Sequence, residues 1–402
     1  MTASRSNPGT ADGHALLAER LFDGRGWRTE TAVLIRDGRI VAIESPGAVP
    51  PDWPTTRLPP GVFLAPGFID LQVNGGGGVL LNDAPTPDAM RAIARAHRRF
   101  GTTACLPTLI TDTPAQMQAA IAAARASAGR DGILGLHLEG PFISPKRPGV
   151  HRPDLIRQPS PPPASGERKD DLDALCDLAG AGRSLVTLAP ECVPAGFIRT
   201  LAAAGVRVSI GHSEATAADV MQAVADGATG VTHLYNAMPP LGARAPGIVG
   251  AALAERRLTA GLIVDGIHVD PVAVRAAFAA KGDRIALVTD AMPTVGTSLD
   301  RFTLMGRTIR RADGRLTTEE GTLAGAHLDM ATAVRSAVKR ADLPLEDALR
   351  AAALTPAQFL GLAHERGALF SGARADLVAL SEGLTAVATW VGGEPDEVDG
   401  AH

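Results

Sequence analysis

The side chains most able to do chemistry in this sequence are acids and imidazoles that directly follow short apolar segments. They are Glu139 in His137-Leu138-Glu139-Gly140-Pro141, His212 in Gly211-His212-Ser213, His233 in Thr232-His233-Leu234-Tyr235-Asn236, His268 in Asp265-Gly266-Ile267-His268 and Asp290 in Thr289-Asp290-Ala291. A single histidine is more often structural than functional, but five such positions in one pattern favour a shared site. Two imidazoles and one carboxylate can hold a divalent cation and leave one coordination position open, as in catalytic zinc sites.

Water bound to such a cation has its pKa lowered to about 7 and becomes a nucleophile. The reaction then needs a base that takes the proton of the water and a donor that stabilises the developing oxyanion. Asp290 is placed for the first role, and His268 is placed to hydrogen-bond the scissile carbonyl. The pattern predicts a metal-assisted hydrolase.

These residues can meet only if the fold brings the ends of their strands together. Apolar segments alternate with Ala-rich helical stretches, and the strand candidates are 63–73, 103–107, 133–138, 185–188, 206–210, 230–234, 262–264 and 285–288. This alternation predicts an α/β fold with a parallel (β/α)8 TIM-type barrel, in which active sites lie at the C-terminal ends of the strands. The alternative is a doubly wound open sheet, but neither a GxGxxG motif nor a P-loop follows the first strand.

The two ends of the chain have a different pattern, which predicts a small β-sandwich module built from both termini. Asp37-Gly38 lies between apolar runs at 31–35 and 39–43, a strong hairpin signal, and further strand-like runs lie at 375–380 and 386–391. We therefore predict a disordered tail at 1–12, the module at 13–65 and 367–402, and the barrel at 66–366. Segment 144–168 reads as a long loop, and 75–78 as a loop over the barrel mouth.

Composition excludes several classes of function. Lys and Arg number 39 against 43 Asp and Glu, and 10 Phe, 3 Trp and 1 Tyr are too few for a base-stacking surface, so no nucleic-acid partner is expected. The sequence has neither an apolar run long enough to span a membrane nor a signal peptide, so no membrane partner is expected. The 3 Cys form no CxxC motif, which indicates a reducing, cytoplasmic location.

Several motifs resemble those of the amidohydrolase superfamily and, within it, the N-acetylglucosamine-6-phosphate deacetylases. The general motifs are Pro66-Gly67-Phe68-Ile69-Asp70 and 372–378; the narrower ones are 137–142, 211–213, 232–238 and 265–268. The resemblance covers about Pro66 to Leu380 and implies hydrolysis of a linear amide C–N bond. N-acetyl-D-glucosamine 6-phosphate would give D-glucosamine 6-phosphate and acetate, in amino-sugar catabolism or cell-wall recycling.

The resemblance also implies a role for each matching residue. Glu139, His212 and His233 would hold the metal, Asp290 would be the general base and then the acid, and His268 would orient the acetyl carbonyl. The residues implied in substrate binding are Val150, His151, Asn236, Ala237, Arg244, Asp265, Gly266, Ile267, His268, Leu323, Ala324 and Gly325. Arg244 suits this role because its planar guanidinium binds phosphate in a bidentate manner.

One departure from the superfamily bears on the number of metals. Many amidohydrolases have His-x-His at the end of the first barrel strand, where a second cation binds, but this chain has Gln72-Val73-Asn74. Neutral amides are poorer ligands than imidazole for such cations. We therefore predict one divalent metal per subunit, with Zn²⁺ as first choice and Fe²⁺, Co²⁺ or Mn²⁺ as alternatives. The alternative role for Gln72 is to position the water or the substrate.

Two alternatives stay open. The first is deacetylation of a related sugar phosphate such as N-acetylgalactosamine 6-phosphate, and the second is a non-catalytic sugar-phosphate binding protein. The second is disfavoured because the chain keeps both the base and the ligands. The resemblance further implies a homodimer in which the partner subunit reaches toward the phosphate.

Overall fold

The computed structural model describes residues 13–160 and 171–396. The predicted tail at 1–12, part of the predicted loop at 144–168 and the last residues of the predicted module lie outside these ranges. Among the described residues, no helix is both long and apolar enough to span a membrane.

The described strands and helices alternate along the middle of the chain. The strands are β1 His14–Phe22, β2 Trp27–Arg36, β3 Arg39–Glu44, β4 Thr55–Arg57, β5 Phe63–Pro66, β6 Phe68–Val73, β7 Gly75–Gly76, β8 Val79–Leu80, β9 Thr102–Ile110, β10 His137–Glu139, β11 Leu185–Leu188, β12 Arg207–Ile210, β13 Gly230–Val231, β14 Thr259–Leu262, β15 Ile285–Leu287, β16 Arg301–Leu304, β17 Arg307–Ala312, β18 Arg315–Thr317, β19 Leu377–Leu380, β20 Ala386–Val391 and β21 Glu394–Pro395. The helices are α1 Pro87–Arg98, α2 Pro114–Ser127, α3 Asp171–Cys176, α4 Phe197–Ala203, α5 Ala217–Ala225, α6 Gly247–Ala254, α7 Pro271–Lys281, α8 Met330–Lys339, α9 Leu345–Ala352 and α10 Leu354–Phe359.

The central sheet is the predicted barrel. β6 and β9 to β15 pair in chain order, and the registers between neighbours are parallel. The first and last strands meet where Val73 bridges Ala291 and where the NH of Asp290 donates to the carbonyl of Gln72 at 3.0 Å. The C-terminal ends of the parallel strands therefore form one rim, where the active site of such a barrel is expected.

A second sheet joins the two ends of the chain, which confirms the predicted fold class. Its main order is β21-β20-β19-β5-β1-β2-β3, with β4 paired to β1. Asp37-Gly38 connects β2 to β3, as predicted. β5 pairs with β1 on one side and with β19 on the other, so strands from both termini share one apolar core that includes Leu64, Leu377 and Trp390.

The predicted strand at 63–73 is two strands in the structure. β5 belongs to the terminal sheet and β6 to the barrel, and Gly67 separates them. A Cβ at Gly67 would lie 2.2 Å from the side chain of Thr103, so the chain can pass from one sheet to the other only with glycine at this position. Both strands are buried along their whole length, so the burial pattern does not mark the change, and Pro66-Gly67 is the one local signal of a break.

Two small elements extend the rim above the end of the first and last barrel strands. β7 and β8 form a hairpin where a loop was predicted, and Gly75, Gly77 and Gly78 donate from their NH groups to carbonyls of residues 291, 295 and 293. β16, β17 and β18 form a three-stranded flap with no counterpart in the sequence predictions. Its buried Leu304 and Leu316 pack in one cluster with Met292, in the loop after the last barrel strand.

Candidate metal centre and active site

Glu139, His212 and His233 converge on one point at the barrel rim. Glu139 Oε1 lies 3.1 Å from His212 Nε2 and 2.8 Å from His233 Nε2, and the two Nε2 atoms lie 3.0 Å apart. All three side chains are buried. Ligands of a tetrahedral zinc ion at ordinary bond lengths are about 3.3 Å apart, so this spacing is close to that of a coordination shell.

The protonation pattern of these residues fits a cation. His212 Nδ1 lies 2.8 Å from the carbonyl oxygen of Arg147 and donates to it, so His212 Nε2 carries the lone pair. This lone pair and Glu139 Oε1 are both acceptors, and they need a positive group between them. Burial alone would raise the pKa of Glu139, but the imidazoles of His212 and His233 beside it outweigh burial and hold that pKa well below its usual range. The carboxylate is thus ionised and available as a ligand.

The backbone at this rim is strained where the site residues lie. His212, His233 and Asp290 have φ angles of 48°, 32° and 51°, and Ala237 has 53°. Left-handed backbone is uncommon for residues other than glycine and clusters at functional sites. His212, His233 and Asp290 each lie two or three residues after the end of a barrel strand.

Asp290 lies beside the three converging residues. Its Oδ1 accepts hydrogen bonds from Gln72 Nε2 at 3.1 Å and from Asn74 Nδ2 at 2.6 Å. Burial raises the pKa of Asp290 to about 6, and the negative charge of Glu139 adds to the rise. A carboxyl group with such a pKa can both accept and return a proton near neutral pH.

His268 is oriented by an acidic neighbour. Its Nδ1 donates to Asp265 Oδ2 at 2.7 Å, and Asp265 Oδ1 accepts from the NH groups of Ile267 and His268 at 2.8 Å each. Nε2 is therefore the ring nitrogen left for a ligand in the cavity that His268 lines. Asp265 does not line the cavity itself, and its contribution there is to orient the ring of His268.

His151 is a further buried imidazole next to the converging residues. Thr111 donates its hydroxyl hydrogen to the carbonyl of Glu139 at 3.3 Å, so it accepts from His151 Nδ1 at 2.7 Å. Burial lowers the pKa of His151 to about 3, which keeps the ring neutral with its lone pair on Nε2. That lone pair lies 4.0 Å from Glu139 Oε2, and the ligand atoms of Glu139, His151 and His212 also lie within 4.8 Å of one another.

A cavity of about 380 Å³ opens over these residues. It is lined by the five strand-end residues of the sequence analysis, Glu139, His212, His233, His268 and Asp290, and by Val150, His151, Asn236, Ala237, Leu323 and Gly325. Other residues that line the cavity had no predicted role, and they include Asn74, Ile110, Lys146, Arg147 and Met292. For Lys146 and Arg147, the available signal was a pair of basic residues in the loop after β10, the third strand of the barrel.

Other residues implied by the resemblance lie away from the cavity lining. Ala324 is buried in the cluster that Met292 shares with the flap. Gly266 and Ile267 belong to the turn that places His268. Arg244 is exposed on the segment before α6 and does not line the cavity of its own chain.

The model of the amidohydrolase family matches residues 63–399. An N-acetylgalactosamine-6-phosphate deacetylase from Shewanella sp. (strain ANA-3) is 41% identical over 370 residues, which are 90% of this chain and 91% of the relative. The N-acetylglucosamine-6-phosphate deacetylase of Homo sapiens is 40% identical over 353 residues, or 83% of each chain.

Solved structures of such deacetylases have a fold similar to that of this chain. The crystal structure of N-acetylglucosamine-6-phosphate deacetylase from Pasteurella multocida superposes with a TM-score of 0.89 at 34% identity. The match covers 95% of this chain and 99% of that one. The resemblance indicated by the motifs is therefore confirmed, and the chain belongs to the amidohydrolase family.

Proposed function

We propose that this protein is a metal-dependent deacetylase of an N-acetylated amino-sugar 6-phosphate, which releases acetate and the free amine. The observation that carries the proposal is the convergence of Glu139, His212 and His233 beside Asp290, in a cavity large enough for a small ligand. The named relatives are deacetylases of such sugar phosphates, and the sequence match covers most of their length.

Glu139, His212 and His233 would hold one divalent cation, with Zn²⁺ as first choice and Fe²⁺, Co²⁺ or Mn²⁺ as alternatives. The cation would polarise the acetamide carbonyl and lower the pKa of a bound water. A preference for one cation is supported by Gln72 and Asn74, whose amide nitrogens point at Asp290 as donors. Donor nitrogens do not ligate a cation.

Asp290 would take the proton of the attacking water and later give it to the departing amine. Its raised pKa supports both steps, since the group is ionised at pH 7 yet close enough to protonation to serve as an acid. His268, held by Asp265, would donate from Nε2 to the acetyl carbonyl when that nitrogen is protonated. The donor would stabilise the negative charge that develops on the carbonyl oxygen.

The remaining lining residues would bind the sugar. His151 offers a fixed acceptor at Nε2, which suits a hydroxyl group, whereas Val150, Leu323 and Gly325 form the wall on the side of the flap. Asn236 and Ala237, which also line the cavity, would meet the phosphate.

Arg244 would bind phosphate in the cavity of a second subunit. It is exposed in its own chain, and Leu241 on the same segment is 56% exposed. A homodimer would bury this segment and bring the guanidinium to the partner's cavity. We place the protein in the cytoplasm, where its phosphorylated substrate would be formed.

The configuration of the sugar has two candidates. N-acetyl-D-glucosamine 6-phosphate is the substrate implied by the sequence motifs and by relatives such as the human protein. N-acetyl-D-galactosamine 6-phosphate is supported by the relatives from Shewanella and from Escherichia coli O157:H7, which match 90% and 95% of this chain.

The proposal is tested by measuring acetate released from both sugar phosphates and from their unphosphorylated forms by metal-replete protein. We expect turnover of at least one phosphorylated sugar and a much lower kcat/KM without the phosphate. Saturable binding of both sugar phosphates with no acetate release would refute catalysis and favour the non-catalytic alternative.

A further inference from the structure

Two side-chain amides hold one oxygen of Asp290 and leave the other open. Gln72 Nε2 and Asn74 Nδ2 both donate to Oδ1, at 3.1 Å and 2.6 Å. Within residues 13–160 and 171–396, no hydrogen bond to Oδ2 of Asp290 is found. The carboxyl group is thus fixed from one side and faces the cavity with its other oxygen.

Gln72 also fixes the distance between Asp290 and Glu139. Its Nε2 lies 3.2 Å from Glu139 Oε1, so the two hydrogens of one amide group connect the two carboxylates. The backbone of Gln72 is held as well, because its carbonyl accepts from the NH of Asp290. Gln72 therefore relates the base to the proposed metal ligand through both its main chain and its side chain.

The hydrogen bond to Asp290 orients the side-chain amide of Asn74 and leaves the oxygen of that amide unpaired. Its side chain is fully buried, and its Oδ1 has no hydrogen-bond partner in the described part of the chain. A flipped amide would place Oδ1 against Oδ1 of Asp290, and two acceptors would repel each other. Leaving a buried acceptor unpaired costs free energy, so the contact from Nδ2 to Asp290 outweighs that cost.

The hairpin of β7 and β8 keeps Asn74 in place. It follows Asn74 directly, and three of its glycine NH groups donate to the segment after Asp290. The main-chain carbonyl of Asn74 accepts from the NH of Leu81 at 3.0 Å. The main chains on both sides of the contact between Asn74 and Asp290 are therefore bonded to each other.

We infer that Gln72 and Asn74 are positioning residues that make Oδ2 the oxygen of Asp290 that exchanges the proton. The inference rests on the proposed function. Both amides are neutral, so they orient the carboxylate without adding a positive charge that would weaken it as a base. Their chemistry is that of donors to Asp290, and their effect on turnover passes through that residue.

The test is a double-mutant cycle on acetate release. Asn74→Leu and Gln72→Met keep a similar size and remove the donors. We expect each to lower kcat by roughly 10- to 100-fold, with KM and bound metal close to those of the parent. Because the effect acts through Asp290, the same changes in an Asp290→Asn background should lower kcat by less than about twofold more.

Asn82→Leu is the matched control. Asn82 is a buried asparagine at the same end of the barrel, and its Nδ2 contacts Ile110 and Asp112 instead of Asp290. Any loss that Asn82→Leu causes should multiply with that of Asp290→Asn. Multiplying losses for Asn74→Leu and Gln72→Met as well would overturn the positioning role, whereas a parent protein that releases no acetate would refute the proposed function instead.

A crystal structure of the metal-loaded parent tests the inference without any variant and covers the case in which Asn74→Leu does not fold. The amide nitrogens of Gln72 and Asn74 should lie within hydrogen-bonding distance of the same oxygen of Asp290. Amide nitrogens that contact different oxygens, or a cation between Asn74 and Asp290, would contradict the inference.

Discussion

The main-chain NH of Asp290 donates to the main-chain carbonyl of Gln72 at 3.0 Å, and this hydrogen bond joins the last barrel strand to the first. The proposed base thus lies at the seam of the barrel. Any shift between the two strands would move the carboxyl group relative to Glu139, which belongs to the third strand of the barrel. The register in which the barrel closes therefore determines the position of Asp290 in the site.

Asp290→Asn should lower kcat while leaving the bound metal in place. An amide of the same shape cannot accept the proton of water, so we expect a loss of about 10²- to 10⁴-fold, typical for a general acid–base group. Acetate release and metal analysis on the same preparation measure both properties. Near-parental turnover would show that another residue is the base.

His233→Ala should remove the metal and the activity together. The change leaves Glu139 and His212 as a pair, which is too few ligands for a tightly bound catalytic ion. Metal content after dialysis is the measurement, and His364→Ala, at an exposed histidine, is the control. Stoichiometric metal in His233→Ala would favour the neighbouring set of Glu139, His151 and His212 as the ligands.

Arg244→Ala should raise KM for the phosphorylated sugar and have little effect on the unphosphorylated one. If Arg244 serves the partner's cavity, mixing Arg244→Ala with Asp290→Asn subunits should restore activity. In such a mixed dimer one cavity has an intact Asp290 and receives an intact Arg244. No recovery in mixed dimers of verified composition would place Arg244 in the site of its own subunit or outside any site.

Asp70 should make stability depend on pH. It is fully buried and accepts hydrogen bonds from Thr289 and from the NH of Gln72, yet burial raises its pKa to about 7. An unfolded aspartate has a pKa of about 3.9. Between these two pKa values the folded state binds more protons than the unfolded state, so the stability that this protonation contributes is lost as pH rises. This lowers the free energy of unfolding by about 2 kcal/mol between about pH 5 and pH 7.

The comparison with Asp70→Asn isolates this contribution, because asparagine does not titrate. Urea unfolding at both pH values should show a smaller decrease for the variant than for the parent. Equal decreases in the two proteins would mean that Asp70 has the same pKa in the folded and unfolded states.

Local signals in the sequence were sufficient for much of the fold. Thr86 and Thr113 precede Pro87 and Pro114, a pattern typical of helix starts, and their side chains accept from the NH groups of Ala89 and Gln116 at the start of α1 and α2. Asp37-Gly38 forms the turn that its residue types require. The strand ends that carry Glu139, His212, His233, His268 and Asp290 meet because parallel strands in a barrel share one rim.

The features that escaped the sequence analysis depend on contacts across the fold. The amides of Gln72 and Asn74 meet Asp290 only because the barrel closes in one register. The flap of β16 to β18 has the alternation of a surface sheet, but its position over Met292 follows from tertiary packing. Likewise, no local pattern states whether the segment of Arg244 lies over its own cavity or extends away from it.

The most direct test of the account is the rate of acetate release as a metal-free preparation is titrated with Zn²⁺. We expect no activity without metal, a linear rise with bound zinc and a plateau at one equivalent per subunit. Full turnover by the metal-free protein, or a plateau only at two equivalents, would contradict a single catalytic cation held by Glu139, His212 and His233.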